Sequence, residues 1–261
     1  MENRRQEEGI NVPEDVKVKS LYKAVRLLFY FTEEDRELGI TELAQKSGLL
    51  KSSIHNMLST YEACGLVKRN PNTNKYCLGV RVLELSNQFY RNNDIRQIAR
   101  PHMNEIANLT GEIVYLAVLN GTEVIYLDGA FPDYSTGGRN MTGLKAPLYC
   151  TGIGKALLAY AGPEKVDEVI GEGLYSFTKD TITDGEKLKE ELAVVRERGY
   201  STDNMEHEYG IKCVAIPIRN GEDRVVAACS VTGPSPRFTE KRIAELAEIL
   251  KKHAVELKKM L

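Results

Sequence analysis

The sequence predicts an α+β protein in two parts. An N-terminal winged helix-turn-helix is followed by a larger domain in which helices pack on an antiparallel sheet. Three observations carry the prediction. Three helical runs, two of them ending on glycine, precede a strand–turn–strand segment within residues 16–78. Two later pairs of strand-like runs each meet at an Asn-Gly dipeptide, a strong hairpin signal. Amphipathic helical text lies before, between and after those pairs.

The elements follow in order. Ser20 suits an N-cap, and "LYKAVRLLFYF" puts Leu21, Val25, Leu28 and Phe29 on one face of a first helix. "TEEDRELG" reads as a charged loop. "ITELAQKSG" is a short second helix closed by Gly48, which adopts a left-handed C-cap at little cost. A third helix runs from about Leu50 to Cys64 and stops at Gly65. "LVKR" and "KYCL" are strands around the turn formers Pro71, Asn72 and Asn74.

Ala44, Gly48 and Ile54 have the spacing that two tightly crossed helices need: a small residue at the crossing, a glycine in the turn, an apolar plug from the third helix. That makes the third helix the recognition element, with its N-terminal half toward the major groove. Lys51, Ser52, Ser53, His55 and Asn56 are then the face offered to double-stranded DNA. Lys and Ser suit phosphates or base edges, and Asn reads adenine bidentately. Lys68, Arg69 and Lys75 on the wing would meet the backbone or minor groove. The competing reading is a small helical domain for protein contacts with an incidentally polar third helix.

Charge agrees with the first reading. Val16 to Leu78 holds ten Lys/Arg against six Asp/Glu, while the remainder holds 25 against 31, for a formal net charge of −2. A basic first quarter on an acidic body points to a polyanion partner for that quarter alone. The longest apolar run, "IVYLAVL" (Ile113 to Leu119), is strand-sized, so no membrane span is expected. The first twenty residues lack the apolar core of a secretory signal. Five widely spaced cysteines, without a CxxC pair, read as buried reduced thiols in a cytoplasmic protein; the three Asn-x-Thr sequons then carry no meaning.

After the wing, "VRVLELSNQFY" is a connector helix with Val82, Leu85 and Phe89 on one side, a possible dimer face, and "RNNDI" breaks it. Ile95 to Leu109 is a further amphipathic helix with Ile98, Met103, Ile106 and Leu109 apolar. Hairpins follow at Asn120-Gly121 and Asn220-Gly221. Between them lie three helical runs, the last opened by a capping box from Thr183 to Glu186. A long amphipathic helix from about Thr239 to Met260 closes the chain.

Six blocks in order, "SLYKAVRLL", "ITELAQKSGLLKSSIHNML", "GLVKRNPNTNKYCLG", "PLYCTGIGKALLA", "RERGYSTDNMEHEYGIKCVAIPI" and "AACSVTGP", resemble the IclR family of transcriptional regulators over most of the 261 residues. Residues 1–15 are expected to be a flexible N-terminus, and the resemblance implies a winged helix-turn-helix (16–78), a linker helix (79–94) and a GAF-like effector-binding domain (95–261). It implies homodimers, often paired into tetramers, on palindromic operators, and a small-molecule effector that is an organic acid, a sugar acid or an aromatic compound. One departure stands out: Asn56 occupies a position where the family usually has arginine, so the operator is expected to differ from a close relative's.

The resemblance also carries the family's ligand contacts onto Gly152 and Ile153 in "CTGIGK", Asp203 in "STDN", Ile211 and Cys213 in "GIKC", and Ser230 and Thr232 in "CSVTG". The residues themselves are compatible. "PLYCTGIGKALLA" looks like a loop entering a helix, whose free amides suit an anion. Ser230 and Thr232 share one face of a strand, and Met141 and Tyr149 could form an apolar wall. The bland alternative is that the glycines only permit close packing and the hydroxyls bond locally. Neither a cofactor nor a metal is expected. The enzyme alternative, a metabolite-processing domain with a winged-helix association module, finds little support. Tyr149 and Ala156 break GxxxxGKS/T, Leu157 breaks GxGxxG, Ile211 replaces the second histidine of HExxH, and no GxSxG occurs.

Overall fold

The computed structural model describes residues 9–32, 34–91, 94–133 and 138–261. The chain divides into two units, Met1–Asn92 and Asn93–Leu261. Residues 92–93, where the connector was expected to break, lie outside the described residues, as do residues 1–8 of the expected N-terminal tail.

The first unit contains α1 (Lys19–Leu28), α2 (Ile40–Ser47), α3 (Lys51–Ala63), β1 (Val67–Arg69), β2 (Tyr76–Leu78) and α4 (Arg81–Arg91). Leu27, Leu38, Leu43, Ile54, Leu58, Tyr61, Val67 and Tyr76 form its core. Gly48 turns α2 into α3 with φ 69°, its N–H donating to Ala44 O at 3.0 Å, and Ile54 plugs the core at 0% exposure. The β1–β2 ribbon pairs Arg69 with Tyr76 and Val67 with Leu78. Leu38 adds a bridge to Tyr76, so the loop before α2 supplies a short third strand position that the charged text "TEEDRELG" concealed. Gly79 lies so near Gly65 that a Cβ would fall 2.2 Å from the Gly65 carbonyl oxygen, which pins the two ends of the ribbon together.

Two expectations for α1 are corrected. The helix starts at Lys19 with Val18 before it and no side-chain cap, so Ser20 lies inside the first turn. The apolar stripe of Leu21, Val25 and Phe29 is exposed, at 60%, 45% and 65%. The core takes Leu27 with Ala24 and Leu28 instead. Helical period separates the two stripes, i, i+4, i+8 from i, i+3, i+4, and the small core covers only the second. The helix α4 likewise has no fully buried residue and exposes Leu83, Leu85 and Phe89.

The second unit runs α5 (Asp94–Thr110), β3 (Ile113–Asn120), β4 (Glu123–Ala130), β5 (Lys145–Pro147), α6 (Gly152–Leu158), α7 (Pro163–Gly171), α8 (Gly185–Arg198), β6 (Ser201–Asn204), β7 (Ile211–Arg219), β8 (Val225–Pro234), a 3-10 turn (Ser235–Arg237) and α9 (Glu240–Met260). The six strands form one antiparallel sheet in the order β5-β4-β3-β8-β7-β6. Period-two alternation serves both faces. Val114, Leu116, Val214, Ile216, Ala227, Cys229 and Val231 pack with α5 and α9. Tyr115, Ala117, Tyr126, Ala215 and Ala228 pack with α6, α7 and α8. The sheet is therefore a middle layer between two helical ones.

Local chemistry shifts several expected details. The cap of α8 is Asp184, whose carboxylate accepts the Lys187 N–H at 2.9 Å, not Thr183 one residue earlier. Leu109 is 65% exposed because the buried stripe of α5 is Ala99, Met103, Ile106 and Ala107. At the second hairpin the left-handed residue is Asp223 (φ 64°), and Asn220 Oδ1 accepts the N–H groups of Glu222 and Arg224, so the loop is longer than an Asn-Gly turn. All five cysteines are free; Cys150, Cys213 and Cys229 are buried, whereas Cys77 is half-buried and Cys64 exposed, against the expectation of burial throughout.

Candidate DNA interface and ligand site

In the first unit, Ile54, Leu58 and Tyr61 bury one side of α3 and thereby fix which side faces out. Lys51, Ser52, His55 and Asn56 are exposed and Ser53 is half-buried. None of these five side chains bonds or ion-pairs with another described residue, so the cluster is free to meet a partner. The N-cap Leu50 supplies no side-chain acceptor, so the first amides of α3 also stay open at the positive end of the helix dipole. Lysine, two serines and uncapped amides at one helix start suit phosphate, and His55 and Asn56, one turn in, can reach base edges.

The wing is braced from inside. Asn70 Nδ2 and the Thr73 hydroxyl donate to the Glu37 carboxylate at 2.8 and 3.1 Å. Lys68 and Arg69 are exposed, with Arg69 5.9 Å from the centre of the Tyr76 ring. Lys75 pairs with Glu42 at 2.7 Å, and Glu42 also accepts the Gly39 N–H at 2.7 Å. Lys75 and the Gly39 amide hold the Glu42 carboxyl below its usual pKa. Lys75 thus ties β2 to the start of α2, a role its place in the sequence did not disclose.

In the second unit, register assembles the ligand candidates. Ile113 pairs with Thr232, Thr232 with Cys213, and Cys213 with Asp203, one row across four strands. The next row on the same face holds Tyr115, Ser230, Ala215 and Ser201. Ile211 lies on this face two residues from Cys213. The start of α6 rests on both rows: the Gly152 amide faces the Cys213 thiol, and Ser201 Oγ donates to Gly152 O at 2.5 Å. The seven candidates therefore converge, with Ile153 buried at 1%.

Packing explains the glycines in part. A Cβ on Gly152 would lie 2.5 Å from Cys213 Sγ, and one on Gly154 would lie 2.5 Å from Leu148 O. The amides at the start of α6 are also partly used: Gly154 N donates to the capping Thr151 Oγ1 at 3.1 Å. Close packing therefore requires glycine at both positions, whatever else the loop does, and the side chains of the two rows line the same face beneath it.

Sequence reasoning missed a buried charge cluster beside the rows. Lys155, inside "GIGKALL", is 1% exposed and pairs with Glu206 Oε1 at 2.5 Å, with Glu191 at 3.8 Å. Glu206 Oε2 is buried and has no hydrogen-bond partner among the described residues. Burial pushes the Glu206 carboxyl up against the pull of Lys155. Burial, then the neighbouring Glu206, pushes the Asp203 pKa up to about 7, although the amides of Glu206 and His207 donate to it. Burial, then Asp203, raises the Cys213 thiol well above its ordinary value. The wall is aromatic: Tyr115 meets Tyr126 edge-on at 5.5 Å and Phe131 at 6.4 Å, and the buried Tyr126 hydroxyl lies near Cys213 and Asp203. Met141 packs at this core, and Tyr149, held by a bond to Tyr175 O at 2.8 Å, is buried there too. A separate cavity of about 600 Å³ opens among Tyr160, Pro163, Val166, Lys189, Leu192 and Arg196, between the end of α6 and helices α7 and α8, and includes no residue of the two rows.

Two family profiles match in chain order: "IclR helix-turn-helix domain" over residues 20–71 and "Bacterial transcriptional regulator IclR C-terminal" over 87–259. The chain is 32% identical to the HTH-type transcriptional regulator XynR of Escherichia coli over 245 residues, covering 94% of this chain and 97% of that protein. It is 34% identical to KdgR of the same organism over 234 residues, 89% of each. Among solved structures, an IclR homolog complexed with 4-hydroxybenzoate from Microbacterium hydrocarbonoxydans is similar with a TM-score of 0.79 at 28% identity, covering 92% of this chain and 98% of that one. These relatives are transcriptional regulators, and the enzyme alternative is set aside. An exposed polar face on α3 in the first unit, a separate α+β second unit and two family profiles in order lead to one conclusion: the chain belongs to the IclR family and is a ligand-responsive, DNA-binding transcriptional regulator.

Proposed function

We propose that this regulator binds a palindromic operator as a homodimer, able to pair into a tetramer. Lys51, Ser52, Ser53, His55 and Asn56 read each half-site, and Lys68, Arg69 and Lys75 flank it. Its effector is a small organic acid, sugar acid or aromatic compound held over Asp203, Ile211, Cys213, Ser230 and Thr232, beneath Gly152 and Ile153. The reading requires no cofactor.

One observation carries the ligand half: a single sheet face gathers Thr232, Cys213, Asp203 and Ser230 under α6, beside a buried lysine and an aromatic wall. Hydroxyls and a protonated carboxyl donate to an anion, and the aromatic rings accept an apolar body. The relative bound to 4-hydroxybenzoate makes aromatic acids the first class to try. Dimerisation is supported by the apolar stripes that α1 and α4 leave exposed.

Fluorescence anisotropy on duplexes from the region upstream of the gene, against scrambled duplexes and over a salt series, tests the DNA half. Binding that prefers the native duplex and weakens steeply with salt is expected. Failure to bind either duplex at low salt would remove α3 from its role. A thermal-shift screen of organic acids tests the other half; the hit must lose its shift in Ser230→Ala while operator binding persists.

A further inference from the structure

The sheet face opposite the ligand rows carries a second polar cluster, built between α5 and α9. His102 Nδ1 and His253 Nδ1 approach to 3.0 Å, their rings edge-on with centroids 5.3 Å apart. Glu256 Oε2 lies 3.7 Å from His102 Nδ1. One ligand atom from each of the three residues falls within 4.8 Å of the others. The sequence repeats a pattern here: each histidine is followed three residues later by a glutamate, His102 by Glu105 and His253 by Glu256. That spacing places each glutamate one helical turn along on its histidine's own side. Glu105 is near enough for its charge to act on His253. His253 is 5% exposed, so the cluster reaches from the core to the surface.

We propose that His102, His253 and Glu256 form a binding site for a divalent transition-metal ion of the zinc or nickel class. Zinc–imidazole bonds are about 2.0–2.1 Å long. Two nitrogens 3.0 Å apart then subtend an angle of about 95° at a shared ion, close to what five- or six-coordinate metals adopt and a small ring rotation from tetrahedral. The Glu256 carboxylate is near enough to complete three protein ligands through side-chain rotation alone, leaving the rest to water. Glu105 stands by to orient a histidine or neutralise the ion's second charge. Imidazole donors select against magnesium and calcium, which want oxygen cages. A plain hydrogen bond between the two rings would account for 3.0 Å, but it gives neither glutamate a role. The ion would fasten α5, the entry to the second unit, to α9.

The test is zinc titration of the full chain by competition with a chromogenic chelator, with magnesium as the contrasting ion. One zinc per chain is expected, with no competition from magnesium. His102→Gln, and separately the surface change Glu256→Gln, should each weaken zinc by about tenfold or more. Long-range 15N NMR of the histidine rings, of which the chain has four, should show His102 and His253 metallated at Nδ1. Zinc held equally by wild type and both variants, zinc signals on other histidines only, or no zinc retained at all would each overturn the site. Glu256 is half-exposed, so its variant folds and keeps the test decisive even where the His102 change does not.

Discussion

Asp203 puts a carboxylate where an acid is proposed to bind, and its raised pKa removes the contradiction. With a pKa of about 7, set first by burial and then by Glu206, the group keeps a proton through the weakly acidic range. Protonated, it donates to a ligand carboxylate; ionised, it repels one. Affinity for an acidic effector should therefore fall as pH rises through about 7, and calorimetric titrations should find Asp203→Asn flat over the same range. Stability has the same sign. The folded pKa lies above the unfolded value, so the native state holds a proton that the unfolded chain releases, and stability drops from about pH 4 to about pH 7. Asp203→Asn should then be more stable than wild type at pH 8, with Tm raised about 2–4 °C per kcal/mol recovered, and the gap should close near pH 4. On the DNA side, Lys51→Ala and Arg69→Ala should weaken all duplexes alike and lower the salt slope by about one each. Asn56→Ala should instead relax the ranking of operator variants, worth about 1–3 kcal/mol at the base it reads; an unchanged ranking would show that Asn56 reads nothing.

At the scale of elements, α6 is defined by what it sits on. Gly152 admits the helix onto Cys213 with no room for a methyl group. Gly152→Ala should cost about 1–3 kcal/mol in a urea melt, through overpacking. Adding Cys213→Ala should return part of that cost, because the sulfur is the atom in the way. A double-mutant cycle measures the coupling, about 0.5–3 kcal/mol for touching residues. This element also shows where sequence reading succeeds and fails. The third helix was legible because alternating buried and exposed positions in "KSSIHNMLSTY" follow one helical period. Lys155 was not, because its counter-charges Glu191 and Glu206 arrive from other elements and nothing local marks a lysine for burial. The strand β6 was missed because "STDN" is four residues of polar text without an apolar face. The outward turn of Leu21, Val25 and Phe29 was missed because periodicity reports that a stripe exists and is silent on what covers it. His102 and His253 stay hidden for the same reason as Lys155, since the fold alone brings α5 to α9.

At the scale of the whole molecule, the exposed stripes predict assembly. Leu21→Glu and Phe29→Glu alter residues already in solvent, so the fold should tolerate each within about 0.5 kcal/mol. In the proposed homodimer, sedimentation should nonetheless shift toward monomer, and operator affinity should fall by orders of magnitude as two-site binding is lost. A dimer that survives both changes would place the interface elsewhere.

The strand order has a temporal consequence. The candidate ligand rows cross the β3–β8 seam, where Ile113 stands opposite Thr232 and Tyr115 opposite Ser230. The first unit, by contrast, closes its core through neighbours in the chain, with α2, α3 and the ribbon following directly on one another. Local contacts form fast and distant pairings slowly, and synthesis delivers the N-terminal part first. On the ribosome the winged-helix unit is therefore complete while β8 is still unmade, so each new copy finishes the part that meets DNA before the part that meets a small molecule.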